Sequence, residues 1–209
     1  KKTKFFKTHN IYGSINNFNF TNKKNTLACI YIVRYPRNAI TSLKNHYELS
    51  YDEAFNFIVN ERKYIFDYHK KDDYSDFQFI SSWKTNYKSW KIQKKIPIKI
   101  IRYEDLLNQT YKVLTEVITF INQTTISKEK INKNKIKNAI GSTSFSKLKN
   151  KEKNEGFSEA PKAKGGDKKI PFFNLGPKNN WKIILNDDLK DKLNNIFKKK
   201  LEELSYEKS

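Results

Sequence analysis

Two apolar segments of the chain have the length and residue types of buried strands. The first covers residues 26–33 and ends in β-branched side chains, and the second covers residues 96–101. Unbroken apolar runs of this length are typical of strands that are covered on both faces, as in a parallel sheet. We therefore predict two neighbouring strands of a parallel sheet.

Helical patterns occupy most of the remaining chain. Asn38 is a candidate N-cap for a helix that reaches about residue 47, and Ser50 with Glu53 forms a capping box. Helices are predicted over about 38–47, 51–70, 82–94, 109–122 and 128–140, and from about residue 186 onwards. Because strands alternate with helices, the pattern predicts an α/β fold in a single domain over residues 1–209. Glycine and proline concentrate in residues 149–180, which are predicted to be rich in loops.

Charge is the main compositional feature. The chain has 42 basic and 22 acidic residues, a formal net charge of +20, and such a field attracts polyanions. Lysine supplies most of this charge, which also fits a plain solvated surface. Only four basic residues are arginines, and two of them, Arg34 and Arg37, follow directly on the first predicted strand.

Other chemistry is sparse in the sequence. No apolar run approaches the roughly 18 residues needed to span a bilayer, and the N-terminal residues do not resemble a signal peptide, so we expect a cytoplasmic protein. Cys29 is the one cysteine, which excludes an internal disulfide and a zinc site built from cysteines. The three histidines, His9, His46 and His69, are scattered, so no metal site is predicted.

An anion site is predicted where the two strands end. Arg34 follows the first strand and Arg102 and Tyr103 follow the second. Ligands of open α/β sheets bind beyond the carboxyl ends of the strands, where the N-terminus of the next helix adds amide donors. Ser42 can add a hydroxyl from that helix. On spacing alone the pair Arg34 and Ser42 fits a phosphate pocket and, equally, an internal ion pair beside a surface hydroxyl.

Five segments, in order, resemble the cytosolic-type sulfotransferases, which use 3′-phosphoadenosine 5′-phosphosulfate (PAPS) as donor. They are Phe6-Lys7-Thr8-His9, residues 31–42 with Arg34-Tyr35-Pro36-Arg37, Ile101-Arg102-Tyr103-Glu104-Asp105-Leu106, Thr143-Ser144-Phe145 followed by Lys149, and Phe173-Asn174-Leu175-Gly176 followed by Asn180-Trp181-Lys182. The resemblance implies a three-layer α/β/α, P-loop NTPase-like domain with a central parallel sheet. It also implies transfer of a sulfonate group to a hydroxyl or amine of a small-molecule or glycan acceptor, without a metal.

The resemblance also implies roles for particular residues. His9 would be the general base, with Lys7 as a positive charge near the reacting centre. Arg34 and Ser42 would bind the 3′-phosphate of the donor, and residues 149–180 would cover the nucleotide. The remaining nucleotide-binding residues would be Tyr103, Thr143, Ser144, Phe145, Asn174, Leu175 and Gly176. Sulfuryl transfer resembles phosphoryl transfer, in which positioning and cationic stabilisation dominate.

The chain departs from the family pattern in three places, and the smallest departure is Asn38, which stands where the family commonly has Asp. No segment resembles the family's Lys-Ser-Gly-Thr-Thr-like loop for the 5′-phosphosulfate, so we expect an N-terminally truncated chain that is inactive or nearly so by itself. Asn174 and Leu175 stand where the family usually has Arg and Lys, although Lys178 is close. Two alternatives stay open: a non-catalytic basic module that binds nucleic acid or sulfated glycan, and a fragment of a nucleotide kinase. The sulfotransferase interpretation includes no specific nucleic-acid partner.

Overall fold

Short strands and longer helices alternate along the chain. The structure is a computed structural model and describes residues 3–66, 77–125 and 129–206. The strands are β1 (Ser14–Ile15), β2 (Phe18–Asn19), β3 (Cys29–Val33), β4 (Tyr64–Ile65), β5 (Gln78–Phe79) and β6 (Ile98–Arg102). The helices are α1 (Pro36–His46), α2 (Tyr51–Val59), α3 (Trp83–Ile92), α4 (Tyr103–Asn108), α5 (Thr110–Thr125), α6 (Lys133–Ser142), α7 (Phe145–Glu155), α8 (Trp181–Ile184) and α9 (Asp187–Glu203), with a 3-10 helix at Gly176–Lys178.

The two predicted strands pair with each other. β3 and β6 form a two-stranded parallel sheet, and this confirms the α/β fold class. Two further pairs, β1 with β2 and β4 with β5, are antiparallel. Since β3 leads into α1 and β6 leads into α4, the carboxyl ends of both strands carry the start of a helix.

The chain divides into two compact units. The first unit comprises Lys1–Cys29 and Asn56–Ile98, and the second comprises Ile30–Phe55 and Lys99–Ser209. The pairing of β3 with β6 lies almost wholly in the second unit, and the pairing of β4 with β5 lies in the first.

The core of the second unit forms between α1 and α9. Leu193, Phe197 and Leu201 recur along one face of α9 and are at most 1% exposed. Ile40 on α1 is fully buried as well, and α1 contacts α9. Because these side chains sit at helical spacing, their burial fixes which face of α9 turns inward.

The core of the first unit is smaller and more aromatic. Tyr87 and Trp90 on α3 are 2% and 4% exposed, and Ile96 is 2% exposed. The Trp90 indole packs against the ring of Tyr12, with ring centroids 5.2 Å apart. Gln93 is buried beside Ile96. Its side-chain amide donates to the Ile96 carbonyl and accepts the Ile96 backbone N–H. Among the helices of the described residues, none combines the length and the apolar composition that a membrane span requires.

Several predicted boundaries are wrong. The helix expected from Asn38 begins at Pro36, with Tyr35 as N-cap, because proline is favoured in the first helical turn, where its missing N–H costs nothing. The helix expected over 51–70 ends at Val59; residues 67–70 lie outside the described residues. The capping box is confirmed: Ser50 N–H donates to Glu53 Oε2 (2.7 Å), and Glu53 N–H donates to Ser50 Oγ (3.1 Å).

The loop prediction is also wrong for residues 149–155, which belong to α7. This helix is polar on nearly every face, so it has no apolar period to detect. A Lys151–Glu155 ion pair supports it. Gly156, which had indicated a loop, is its C-cap at φ +77°, a conformation that glycine adopts without strain.

Candidate donor-nucleotide site

Arg34 is the centre of the site. It follows the last residue of β3, and its Nη1 donates a hydrogen bond to Ser42 Oγ on α1 (2.9 Å). Its guanidinium carbon lies 4.6 Å from the ring centroid of Tyr103, the first residue of α4. The structure therefore brings together the three predicted residues Arg34, Ser42 and Tyr103 from β3, α1 and α4.

Burial sets the electrostatics of this cluster. Loss of solvent lowers the pKa of Arg34, and the nearby Tyr103 and Glu104 act in the opposite direction. An arginine keeps its proton at neutral pH despite such a shift. A half-buried guanidinium at the end of a strand is thus a positive charge with reduced solvent screening, which favours an anionic ligand.

Asn179 joins this cluster, although no sequence pattern singles it out. Its Nδ2 donates to the Asn38 carbonyl (2.9 Å) and to Ser42 Oγ (3.4 Å). Its Oδ1 accepts from the Thr41 hydroxyl (2.7 Å). In an asparagine-rich chain nothing distinguishes Asn179 from its neighbours, and only the folded structure shows that it fixes α1 to the segment after Gly176.

The segment around Trp181 is anchored on the same helix. Asn38 Oδ1 accepts the Trp181 backbone N–H (3.1 Å), which is the actual role of a side chain that was expected to cap α1. The Arg37 guanidinium carbon lies 4.3 Å from the Trp181 ring centroid, and Arg37 is only 3% exposed. Arg37 is therefore part of the internal packing, while Arg34 faces Ser42.

The predicted adenine-side residues form the turn between α6 and α7. Thr143 is the C-cap of α6 and its hydroxyl donates to the Ala139 carbonyl (2.7 Å). Ser144 is the N-cap residue of α7, and Phe145 is the first helical residue. The Phe145 ring meets Phe173 edge to face at 6.1 Å.

Gly176 lies directly against the Phe145 ring. Its φ is +52°, and a Cβ at this position would lie 2.6 Å from Phe145 Cε1 and closer still to two other ring atoms. Glycine is therefore required here both by backbone conformation and by space. This contact brings together two predicted residues that are far apart in the sequence.

The contacts of Asn174 and Leu175 are made by their backbones. The Asn174 carbonyl accepts a hydrogen bond from Lys149 Nζ (3.1 Å), and Leu175 is the N-cap of the 3-10 helix. Glu152, one turn after Lys149 on α7, accepts the backbone N–H groups of Phe172 (2.6 Å) and Phe173 (2.9 Å). Sequence reasoning missed Glu152, Phe172 and Asn179.

His9 and Lys7 belong to the first unit, and both are exposed. The backbone around His9 is held by side chains: His9 N–H donates to Gln78 Oε1 (2.5 Å), and Asn86 Nδ2 donates to the His9 carbonyl (3.0 Å). The Trp90 indole N–H donates to the carbonyl of the next residue, Asn10 (2.9 Å). The segment is thus fixed in its unit while the imidazole faces solvent.

Arg102, the other strand-end arginine, has a structural role. It binds Asp105 through two hydrogen bonds of 2.7 Å, which raise its pKa, and its Nη1 donates to the Leu204 and Ser205 carbonyls at the end of α9. Its charge is neutralised by Asp105, whereas Arg34 bonds Ser42 and lies over Tyr103.

The cluster has the chemistry of a site for a phosphorylated nucleoside. Arg34 and Ser42 offer a cation and a hydroxyl, and Phe145 with Tyr103 offers aromatic surfaces. Gly176 lets its backbone lie directly against the Phe145 ring, because a side chain at this position would overlap the ring. In the described ranges, no group of three or more His, Cys, Asp or Glu side chains is arranged to hold a metal ion.

Comparison with known proteins gives a family and a fold. Residues 1–205 match the sequence model described as the sulfotransferase domain. Among solved structures, a mouse sulfotransferase complexed with PAP (3′-phosphoadenosine 5′-phosphate) aligns with a TM-score of 0.56 and 20% identity, over 83% of this chain and 58% of that chain. Retinol dehydratase in a complex with retinol and PAP aligns with a TM-score of 0.53 and 15% identity, over 83% and 47%.

A search of curated protein sequences gave no match. The chain spans 58% or less of the length of the solved structures named above. These likenesses show the fold, and the family match covers both units of the chain. The chain belongs to the sulfotransferase domain family.

Proposed function

We propose that this protein binds PAPS and transfers its sulfonate group to a hydroxyl or amine of a small-molecule or glycan acceptor. The observation that carries the proposal is the cluster of Arg34, Ser42 and Tyr103 at the carboxyl end of β3. The family match over residues 1–205 supports it, and so does the PAP found in the mouse sulfotransferase. Because that match spans both units, we also infer that residues 1–209 act as one sulfotransferase-like domain.

On the donor side, each residue of the proposed site takes the role that the family resemblance implies, and the contacts described above support this assignment. Arg34 and Ser42 bind the 3′-phosphate through a charge-assisted pair of donors. Phe145 and Tyr103 pack against the adenine, and Gly176 brings backbone amides close. Thr143 and Ser144 line the same turn. Asn174 and Leu175 contribute through the backbone that Lys149 holds.

Catalysis in this proposal rests on His9 and Lys7. PAPS supplies an activated sulfonate on a phosphate leaving group. His9 takes the proton from the acceptor hydroxyl or amine, a role suited to an imidazole whose ordinary pKa lies near neutrality. Lys7 adds positive charge where negative charge develops. The bonds from Gln78 and Asn86 hold the backbone that carries His9.

Calorimetric binding of PAP and of adenosine 5′-phosphate (AMP) tests the donor site, since the two ligands differ only in the 3′-phosphate. Arg34→Ala removes a hydrogen-bonded charge, worth about 1.5–3 kcal/mol, so PAP affinity falls about ten- to hundredfold. AMP affinity stays within about twofold. Arg62→Ala, which removes an exposed arginine of the first unit, is the matched control and leaves both affinities unchanged.

The same titration distinguishes the basic-module alternative. Measured at two salt concentrations, a general polyanion binder loses affinity steeply with salt, prefers no adenosine ligand, and responds equally to Arg34→Ala and Arg62→Ala. That result would reject the proposed donor site. Because residues 1–209 are expected to be inactive or nearly so by themselves, His9→Asn tests catalysis in a protein that also carries the family's 5′-phosphosulfate loop: turnover with PAPS and a phenol acceptor falls about 10²–10⁴-fold, while PAP binding persists. Unchanged turnover would reject His9 as the base.

A further inference from the structure

Glu104 is bonded through both of its carboxylate oxygens. Oε1 accepts the backbone N–H of Tyr35 (3.0 Å), the residue after Arg34. Oε2 accepts the hydroxyl of Tyr206 (2.5 Å), which lies beyond the end of α9. The carboxylate therefore links the loop that carries Arg34 to the C-terminal segment of the chain.

Tyr206 is held in place from several sides. Its ring centroid lies 4.8 Å from that of Tyr35, and its hydroxyl also lies 3.4 Å from the Val33 carbonyl. Arg102 packs over the ring, 5.6 Å from the centroid, and donates to the carbonyls of the two preceding residues. Burial is the main factor that raises the pKa of the Tyr206 hydroxyl, followed by its bond to Glu104, so the hydroxyl stays protonated and donates.

The position of these contacts matters for the donor site. Val33 and Tyr35 flank Arg34 in the sequence: the Tyr35 N–H donates to Glu104, and the Val33 carbonyl accepts from the Tyr206 hydroxyl. The peptide groups on either side of Arg34 are thus tied to the end of α9. An arginine that binds a phosphate needs a fixed backbone, because small displacements of a positioned group weaken charge-assisted hydrogen bonds.

We infer that Glu104 and Tyr206 are positioning residues for recognition of the 3′-phosphate: together they brace the backbone that aims the Arg34 guanidinium. The inference rests on the proposed function and extends it to two residues that touch no ligand in it. A negative charge beside a phosphate site opposes anion binding, so Glu104 acts here through its hydrogen bonds and not through its charge.

Three variants distinguish an effect of the Glu104 and Tyr206 hydrogen bonds from an effect of the Glu104 charge. Tyr206→Phe keeps the ring and removes the hydroxyl. Glu104→Ala removes both hydrogen bonds, whereas Glu104→Gln keeps an acceptor for the Tyr35 N–H and an amide partner for the Tyr206 oxygen. Tyr111→Phe, on a tyrosine that is 38% exposed on α5, is the matched control. The readout is the ratio of AMP to PAP dissociation constants, which isolates the 3′-phosphate.

We expect Tyr206→Phe and Glu104→Ala to lower this ratio three- to tenfold through weaker PAP binding, with AMP binding within twofold of the wild type. Glu104→Gln and Tyr111→Phe keep the wild-type ratio. If the two residues have a purely structural role, Tyr206→Phe and Glu104→Ala lower the thermal midpoint of unfolding and leave the ratio unchanged, and that result overturns the inference. A Glu104→Gln variant that behaves like Glu104→Ala overturns it as well.

The outcomes also separate the inference from the function it rests on. If the wild-type chain binds PAP no better than AMP, both the proposed donor site and this inference are wrong. If the wild type prefers PAP, and Tyr206→Phe and Glu104→Ala keep that preference, only the inference is wrong. Should Tyr206→Phe not fold, the comparison of Glu104→Ala with Glu104→Gln decides by itself.

Discussion

Replacing Gly176 by alanine places a methyl group inside the space of the Phe145 ring. At φ +52° the added Cβ would lie 2.6 Å from Cε1 of Phe145 and closer to two further ring atoms. The left-handed backbone costs an L-residue about 1–2 kcal/mol. The ring must also leave its rotamer, which costs about another 0.5–1.5 kcal/mol. We therefore expect Gly176→Ala to lower the free energy of unfolding by about 2–3 kcal/mol.

Gly165 provides the matched control for this variant. It too has a positive φ, +85°, but a Cβ there would meet no atom within 4 Å. Gly165→Ala therefore carries the backbone cost alone, about 1–2 kcal/mol. The difference between the two alanine variants measures the contact between Gly176 and Phe145.

Two measurements check the prediction. Urea unfolding gives the free energy of each variant, and calorimetry gives PAP affinity, which we expect to fall for Gly176→Ala because the displaced Phe145 ring no longer packs against the adenine. Equal destabilisation by the two variants, together with unchanged PAP binding by Gly176→Ala, would refute the packing of Phe145 on Gly176 and its proposed role.

Three further predictions concern stability and reactivity. Leu193→Ala empties a fully buried position on α9 and should lower the free energy of unfolding by about 2–5 kcal/mol in urea titrations; a smaller loss would contradict the α1–α9 core. The bonds from Ser50 lower the pKa of Glu53, so their contribution to the free energy of unfolding is present above the ordinary carboxyl pKa and is lost as the pH falls through the lowered pKa. In acid unfolding measurements, Glu53→Gln should lack this pH-dependent contribution, and an acid unfolding curve identical to that of the wild type would contradict the prediction. Burial raises the pKa of Cys29 to about 11, so a thiol reagent at pH 8 should modify it far more slowly before unfolding than after; equal rates would contradict its burial.

Local patterns predicted those features that depend on residues close together in the sequence. Arg34 and Ser42 are eight residues apart, and a strand followed at once by a helix has few ways to arrange them. The capping box of Ser50 and Glu53 is confirmed for the same reason. The start of α1 was missed because Pro36 and Asn38 both carry start signals, and the proline position prevailed.

Long-range contacts escaped the sequence because nothing local selects their partners. Asn179 bonds Ser42 from 137 residues away, and Tyr206 bonds Glu104 from 102 residues away. Glu152 is one glutamate among many charges on a polar helix, and only the fold brings it to the Phe172 and Phe173 amides. Each of these side chains acquires its partner when distant elements pack.

The sequence by itself therefore determined the α/β class and the family resemblance, and it predicted that Arg34, Ser42 and Tyr103 lie together where the two strands end. Tertiary structure decided how two similar arginines divide their roles: Arg102 is neutralised by Asp105 and ties down the end of α9, while Arg34 bonds Ser42 and lies over Tyr103. The physical reason is that a side chain at a strand end acquires its distant partners only when the chain packs: Asp105 lies three residues from Arg102, but the Leu204 and Ser205 carbonyls reach Arg102 only when the end of α9 lies beside it.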